Sequence, residues 1–198
     1  MGQNYNHQAI NDLYHTDRFG SRALYWSCVV GNFKIVEYLL EQYKNKDNKN
    51  NIDLSDNYVQ NINHQDDNGD TALYAAVSNG YEEIIKLLLD YGANVNVVNK
   101  DSETPLYKAI HNLAGLHVEG ELYIGAYLFS PFKIIEMLIE KGANVNQANN
   151  RGCTPLKIAC DHSILRIVQI LLKNNVDVNQ TDSDDRSPLY FCSTNSNY

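Results

Sequence analysis

The apolar positions of this chain form short helical stripes separated by polar turns, most clearly over residues 66–96. A first short helix carries a narrow stripe of Leu73, Ala76 and Val77, and a strongly apolar second helix follows at 84–89. Asn79-Gly80 and Gly92 come directly after these helices and are typical of left-handed stops. Two helices this short do not bury their apolar faces on each other alone. The pattern therefore predicts a unit that needs neighbours of its own kind.

The start of the first helix recurs along the chain. Its copies are Thr71-Ala72-Leu73-Tyr74, Thr104-Pro105-Leu106-Tyr107, Thr154-Pro155-Leu156-Lys157, Ser187-Pro188-Leu189-Tyr190 and, more weakly, Arg22-Ala23-Leu24-Tyr25. The apolar second helix recurs at 35–40, 134–139 and 167–172. The intervals between the threonine-like positions are 49 (22 to 71), 33 (71 to 104), 50 (104 to 154) and 33 (154 to 187). A 33-residue period with two insertions explains all four intervals.

A 33-residue period that opens with Thr-Pro-Leu resembles the ankyrin repeat, and the chain resembles the many ankyrin-repeat proteins of large DNA viruses. The resemblance covers about residues 17–192 and implies an all-α solenoid of helix-turn-helix repeats with short hairpin-like turns. It predicts repeats at 17–64, 66–98, 99–148 and 149–181, a partial repeat at 182–192, a partial N-terminal capping helix at 1–16 and a polar tail at 193–198.

The two insertions differ in character. Residues 44–60 are charged and rich in asparagine, which predicts a loop. Residues 113–129 are apolar but carry Gly115, Gly120 and Gly125, so we expect the first helix of that repeat to end near Asn112 and a folded-back loop to follow. This second insertion either packs on its own helix pair or forms an exposed apolar patch that a partner covers.

Several repeats depart from the ankyrin pattern. Tyrosine stands where the family usually has histidine in four copies, and Lys157 stands there in the fourth repeat. A tyrosine hydroxyl could keep part of the usual hydrogen bond across the turn. Ser163 and Asn174-Asn175 replace the two glycine stops of that repeat, and asparagine is the next best residue at left-handed positions. Arg22 replaces the capping threonine of the first repeat.

Charge and composition narrow the function. A formal net charge of −8 and a pI near 5.1 disfavour a general binder of nucleic acid or anionic membranes. No apolar run approaches the ~20 residues that a membrane span needs, and the first residues do not read as a secretory signal. We therefore expect an intracellular protein, in the cytoplasm or in the host cytoplasm if viral. Its four cysteines are then expected to be reduced thiols.

The chain shows no catalytic or metal-binding signature. It contains no glycine-rich phosphate loop, no serine or cysteine nucleophile motif and no HExxH. Cys153, Cys160 and His162 lack the paired spacing of a zinc site. We expect a non-enzymatic monomer without cofactor or metal.

In ankyrin-like proteins, turn tips and the ends of first helices line a binding groove. The matching residues here are Asp67, Asn68, Asp70, Ser78, Asn79, Lys100, Asp101, Glu103, His111, Asn112, Asn150, Arg151, Asp161, His162, Ser183, Asp184 and Arg186. These tips lean acidic, which favours a protein partner with a basic surface. Three alternatives stay open: contact through the 113–129 insertion, a substrate adaptor for a host ubiquitin ligase, and an enzyme using His117, Glu119 and Glu121 of that insertion.

Overall fold

The computed structural model describes residues 15–47, 61–116 and 131–194. These ranges hold nine helices: α1 Ala23–Val29, α2 Phe33–Asp47, α3 Ala72–Asn79, α4 Glu82–Asp90, α5 Pro105–Leu116, α6 Pro131–Glu140, α7 Pro155–Asp161, α8 Leu165–Lys173 and α9 Pro188–Thr194. The odd-numbered helices are the first helices of the repeats and the even-numbered ones are the second. The described ranges contain no strand, which confirms the all-α prediction.

The first helices begin as their sequences predict. The Thr71 hydroxyl accepts the backbone N–H of Tyr74 at 3.1 Å, and the same 3.1 Å contact occurs at two further helix starts, from Tyr107 N to Thr104 and from Lys157 N to Thr154. Each hydroxyl satisfies one N–H that the first turn of a helix leaves unpaired. Arg22, which replaces threonine before α1, makes no side-chain capping bond.

The predicted left-handed positions are also observed. Gly80 ends α3 with φ 73°. Ser163 and Asn175, which replace glycines in the fourth repeat, take φ 54° and 58°. A non-glycine residue is strained in this region, so these two residues carry a conformational cost that glycine would avoid.

Residues 1–94 form one compact unit that contains α1 to α4. Within it α1 packs on α2 and α3, α3 packs on α4, and α2 packs on α4. The prediction that a loop begins at Lys44 was wrong, because α2 continues to Asp47. Tyr43 is only 2 % exposed and anchors this extra turn.

Residues 95–198 form the second compact unit, with α5 to α9. Here α5 packs on α6 and α7, while α7 packs on α8 and α9. Helix α5 runs through Gly115 to Leu116, so the predicted end near Asn112 was wrong. Leu113 and Ala114 are buried, and their burial offsets the ~1 kcal/mol that an interior glycine costs. Predictions for residues 1–14, 48–60, 117–129 and 195–198 fall outside the described residues, and the predicted polar tail begins inside α9, which continues to Thr194.

The cysteines do not all match the prediction of reduced thiols. Cys160 of α7 and Cys192 of α9 form a disulfide across a Cα–Cα distance of 4.8 Å. They meet because α9 lies beside α7 one repeat later, which brings residues 32 apart in sequence together. Cys28 and Cys153 are free. Burial raises the pKa of the Cys28 thiol to about 12, so this thiol is unreactive at neutral pH.

Candidate protein-binding surface

Every turn that precedes a first helix is built on one aspartate or asparagine. Its side-chain oxygen accepts two backbone N–H groups, from the residues two and four positions later, at 2.8–3.0 Å. These residues are Asp17, Asp66, Asn99, Asn149 and Asp182. Short polar side chains of this kind stabilise turns by bonding to the backbone just ahead of them. The tip backbone is therefore held in place before any partner binds.

Neighbouring tips are also bonded to each other within each unit. In the first unit Asp67 N donates to Phe19 O at 2.8 Å. In the second unit Asn150 N donates to Asp101 O at 2.9 Å, and Ser183 N donates to Arg151 O at 3.4 Å. The tips of each unit thus form a continuous edge instead of separate loops.

Below the tips, first-helix side chains bind the base of the next turn. The Tyr107 hydroxyl accepts Asn149 Nδ2 at 2.9 Å, so this tyrosine keeps a bond across the turn, as the sequence suggested. The fourth repeat uses charge instead, because Lys157 Nζ donates to Asp182 Oδ2 at 2.7 Å. The Asp182 carboxylate is inaccessible to solvent and also binds Arg186. The pKa of Asp182 lies well below its usual range, mainly because of the Lys157 ammonium and further because of Arg186.

The structure buries none of the seventeen predicted contact residues. Six of them are half-buried, namely Asp70, Ser78, Glu103, Asn112, His162 and Arg186. The exposed members are Asp67, Asn68, Asn79, Lys100, Asp101, His111, Asn150, Arg151, Asp161, Ser183 and Asp184. Whether these residues contact a partner stays a prediction.

Some of these side chains hold the fold rather than point freely outward. Asn150 Nδ2 donates to Lys100 O at 2.7 Å, and Arg186 pairs with Asp182 and Asp184 at 2.9 Å and 2.6 Å. Ser78 and Asn79 donate to carbonyls of their own helix, at 2.8 Å and 2.9 Å. His111 and Asn112, predicted at a helix end, lie inside α5 because that helix continues to Leu116.

Two exposed aromatic side chains of the first unit were missed by the sequence analysis. Phe19 at the first tip is 49 % exposed, and the Arg18 guanidinium lies 4.7 Å from its ring centroid. Trp26 is 44 % exposed, and its Nε1 donates to Asp17 Oδ2 at 2.9 Å. Aromatic residues beside a turn were the available signal, since such side chains are enriched at interfaces.

Among the described residues, no three His, Cys, Asp or Glu side chains are grouped as metal ligands. Within the same ranges, no helix has the length and apolar content to cross a membrane.

Parts of the chain are similar to curated proteins. It is 31% identical over 93 residues to start control protein cdc10 of Schizosaccharomyces pombe, covering 43% of this chain and 12% of that protein. It is 38% identical over 58 residues to protein phosphatase 1 regulatory subunit 12A of Mus musculus, covering 29% and 6%. It is 43% identical over 42 residues to ankyrin repeat-containing protein P1E11.10 of Schizosaccharomyces pombe, covering 21% and 20%. The chain thus spans at most a fifth of the length of these relatives.

The family described as ankyrin repeats (three copies) matches residues 48–120 and 122–198, which together make up more than half of the chain. The repeat period, the capped first helices and the stacked turns of each unit agree with this match. The chain belongs to the ankyrin repeat family.

Proposed function

We propose that this chain is a non-enzymatic scaffold that binds a partner protein through its turn tips and the ends of its first helices. The observation that supports this most directly is the bonded tip edge within each unit, in which each turn is fixed by its own aspartate or asparagine and by a neighbouring turn of the same unit. A surface that is already ordered loses little conformational entropy on binding. Ankyrin repeats in general are modules for protein interaction, and one of the relatives above is a regulatory subunit of protein phosphatase 1.

The charge of the tips favours a partner with a basic surface. Among the exposed tip residues, Asp67, Asp101 and Asp184 carry negative charge, while Lys100 and Arg151 carry positive charge. The chain as a whole carries a formal net charge of −8. Opposite charge on the partner would speed encounter at low salt, and the same net charge disfavours nucleic acid as the partner.

We include an intracellular location in the proposal, and this location determines whether the Cys160–Cys192 disulfide forms. The cytosol keeps most protein thiols reduced, so Cys160 and Cys192 would be a dithiol there. The source in a large DNA virus stays a prediction from the sequence.

The experiment compares two charge-reversed variants with the same change in net charge. The tip variant carries Asp67→Lys, Asp101→Lys and Asp184→Lys. The control variant carries Glu41→Lys, Glu83→Lys and Glu140→Lys, three exposed acids on second helices. Each protein is used for affinity capture from cells, the captured proteins are quantified by mass spectrometry, and the Kd of the leading partner is then measured with purified components at two salt concentrations.

We expect the tip variant to lose the partner and the control variant to keep it. Binding to the wild type should weaken as salt rises, because screening reduces the attraction between exposed charges. Equal binding by all three proteins would place the contact away from the tips and end the proposal. The circular dichroism spectra of the variants verify that both are folded.

A further inference from the structure

The disulfide of the second unit lies beside a buried aromatic ring. Cys160 of α7 and Cys192 of α9 are joined across a Cα–Cα distance of 4.8 Å, and Phe191, the residue before Cys192, is only 9 % exposed. Since the bond fixes the backbone at Cys192 against α7, it also limits how far the Phe191 ring can move. The position of this ring is therefore linked to the redox state of the two cysteines.

The Phe191 ring contacts two cations that also bind one carboxylate. The Lys157 ammonium lies 4.4 Å and the Arg186 guanidinium 5.2 Å from the ring centroid. The same two groups lie 2.7 Å and 2.9 Å from Asp182 Oδ2, and the Asp182 side chain is inaccessible to solvent. A ring face attracts cations, and the attraction is stronger where water is excluded. The ring and the carboxylate thus hold the same two cations, and we call Lys157, Asp182 and Arg186 the charged triad.

The charged triad determines the shape of the turn at 182–186. Asp182 Oδ1 accepts the backbone N–H groups of Asp184 and Arg186, both at 3.0 Å. The carboxylate can stay shielded from water only while its cations are in place, because a buried charge without a partner is costly. Displacement of the Phe191 ring would remove one side of this arrangement and weaken the bonds that shape the turn.

The turn at 182–186 has less support from elsewhere than the turn before it. Ser183 N donates to Arg151 O at 3.4 Å, whereas the equivalent bond between turns one repeat earlier measures 2.9 Å. Asp185 takes φ 59° at the place where the preceding turn has Gly152 at φ 69°, and a side chain is strained in this left-handed region. The charged triad is therefore the main support of this turn.

We propose that Cys160 and Cys192 form a redox switch that controls the order of the turn at 182–186. In the disulfide state Phe191 stays on the charged triad and the turn is fixed. In the dithiol state no covalent bond keeps the ring in place, so the triad opens to water more often and the turn loses order with it.

The switch has a consequence for binding, since this turn contains three of the candidate contact residues, Ser183, Asp184 and Arg186. This consequence rests on the proposed function, whereas the switch itself does not. A partner that contacts the turn would bind the disulfide form more tightly, because the dithiol form would have to order the turn on binding.

A small thiol and its disulfide, such as glutathione, are the reactants. In reduction, one glutathione thiolate attacks a sulfur of the protein disulfide, whose S–S bond breaks to give a mixed disulfide and one cysteine thiolate. A second glutathione thiolate attacks the glutathione sulfur of the mixed disulfide, which releases the other cysteine and forms oxidised glutathione. The cysteine thiolates take up the two protons that the glutathione thiols lost. The reverse reaction oxidises the pair with the same stoichiometry.

The test compares the two redox states of the full chain by hydrogen exchange at single amides, followed by NMR. One sample is kept in oxidised glutathione and the other in dithiothreitol, and mass spectrometry after alkylation counts the free thiols in each. The amides of Asp184 and Arg186 are the reporter amides. The amides of Arg151 and Cys153 are the control amides, since they donate to Asn149 Oδ1 at 2.9 Å and 3.0 Å in the preceding turn.

We expect reduction to lower the protection of the reporter amides at least about tenfold and that of the control amides less than about twofold, because the turns open locally. Phe191→Leu should lower the protection of the reporter amides while the disulfide is intact, because it removes the ring from the triad. Leu189→Ala, which shortens a 73 % exposed side chain of the same helix, should leave that protection unchanged. If Phe191→Leu does not fold, the comparison of the two redox states of the wild type decides alone.

Three results would overturn the inference. The first is failure of oxidised glutathione to join Cys160 and Cys192 in the folded chain. The second is equal protection of the reporter amides in the two redox states. The third is the same fold-loss at the reporter and control amides, since reduction would then loosen the whole unit instead of one turn. None of these measurements uses a partner, so their failure is separate from a failure of the proposed function.

Discussion

The contact between the turn at Gly152 and the next turn, at Asp182 and Ser183, leads to a specific prediction for substitution of Gly152. This residue has φ +69°, in the region that side chains rarely adopt. A Cβ at this position would lie 2.8 Å from Asp182 Cα and 2.8 Å from Ser183 N, both backbone atoms of the next turn. Gly152→Ala should therefore strain its own turn and also push away the turn beside it.

Gly142→Ala separates the two costs. Gly142 has a similar φ of +86°, but a Cβ there meets no heavy atom within 4 Å. Both substitutions should cost about 1–2 kcal/mol for a left-handed alanine. Gly152→Ala should cost a further 1–3 kcal/mol, roughly the penalty of forcing extra atoms into a packed site. The expected totals are roughly 2–5 kcal/mol at Gly152 and about 1–2 kcal/mol at Gly142.

Equilibrium unfolding in urea, followed by circular dichroism at 222 nm, measures both free energies of unfolding. Native-state hydrogen exchange at the Ser183 amide gives a local measurement, because this N–H donates to Arg151 O across the two turns. Its protection should fall in Gly152→Ala and persist in Gly142→Ala. Equal destabilisation of the two variants, within about 0.5 kcal/mol, would show that the turns do not pack against each other as described.

Four further predictions address single contacts of the second unit. Thr154→Ala removes the cap of α7 and should lower the free energy of unfolding by about 1 kcal/mol in urea titrations. Ser163→Gly relieves a residue at φ 54° and should raise the melting temperature. The Lys157 ammonium lowers the pKa of Asp182 in the folded protein, so on acidification the carboxylate is protonated in the unfolded chain at a higher pH than in the folded one. The free energy of unfolding should therefore fall as the pH drops below about 4. Asp182→Asn should flatten this dependence on pH. Cys192→Ser, or reductant on the wild type, should lower the free energy of unfolding by roughly 3–4 kcal/mol, since the bond closes a loop of 32 residues; an unchanged urea midpoint would contradict this.

The parts of the fold that depend on local chemistry could be predicted from the sequence. Thr71 and Thr154 cap helices where the motif placed them, and Ser163 and Asn175 take the left-handed backbone expected of glycine replacements. Such features follow from a residue and its immediate neighbours. The recurrence of the same local signals at intervals of 33 residues made the fold class predictable as well.

Helix ends and long-range pairs could not be predicted in the same way. Helix α5 passes through Gly115 because Leu113 and Ala114 are buried, and burial depends on elements far away in sequence. The disulfide between Cys160 and Cys192 depends on how closely α7 and α9 approach. The composition and the expected compartment predicted reduced thiols, but neither gives the distance between Cys160 and Cys192 in the folded chain.

The repeats also show why one motif tolerates different side chains. In the third and fourth repeats the residue after Thr-Pro-Leu binds the first residue of the next turn, and the chemistry of that partner decides which side chain is suitable. Asn149 is neutral, so the Tyr107 hydroxyl is a sufficient partner at 2.9 Å. Asp182 is a carboxylate shielded from water, and a buried charge is costly unless it is paired. Lys157 provides that pairing at 2.7 Å. Tyrosine and lysine are thus equivalent in position but matched to different turns, and at these two departures from the ankyrin pattern the next turn supplies the matching partner.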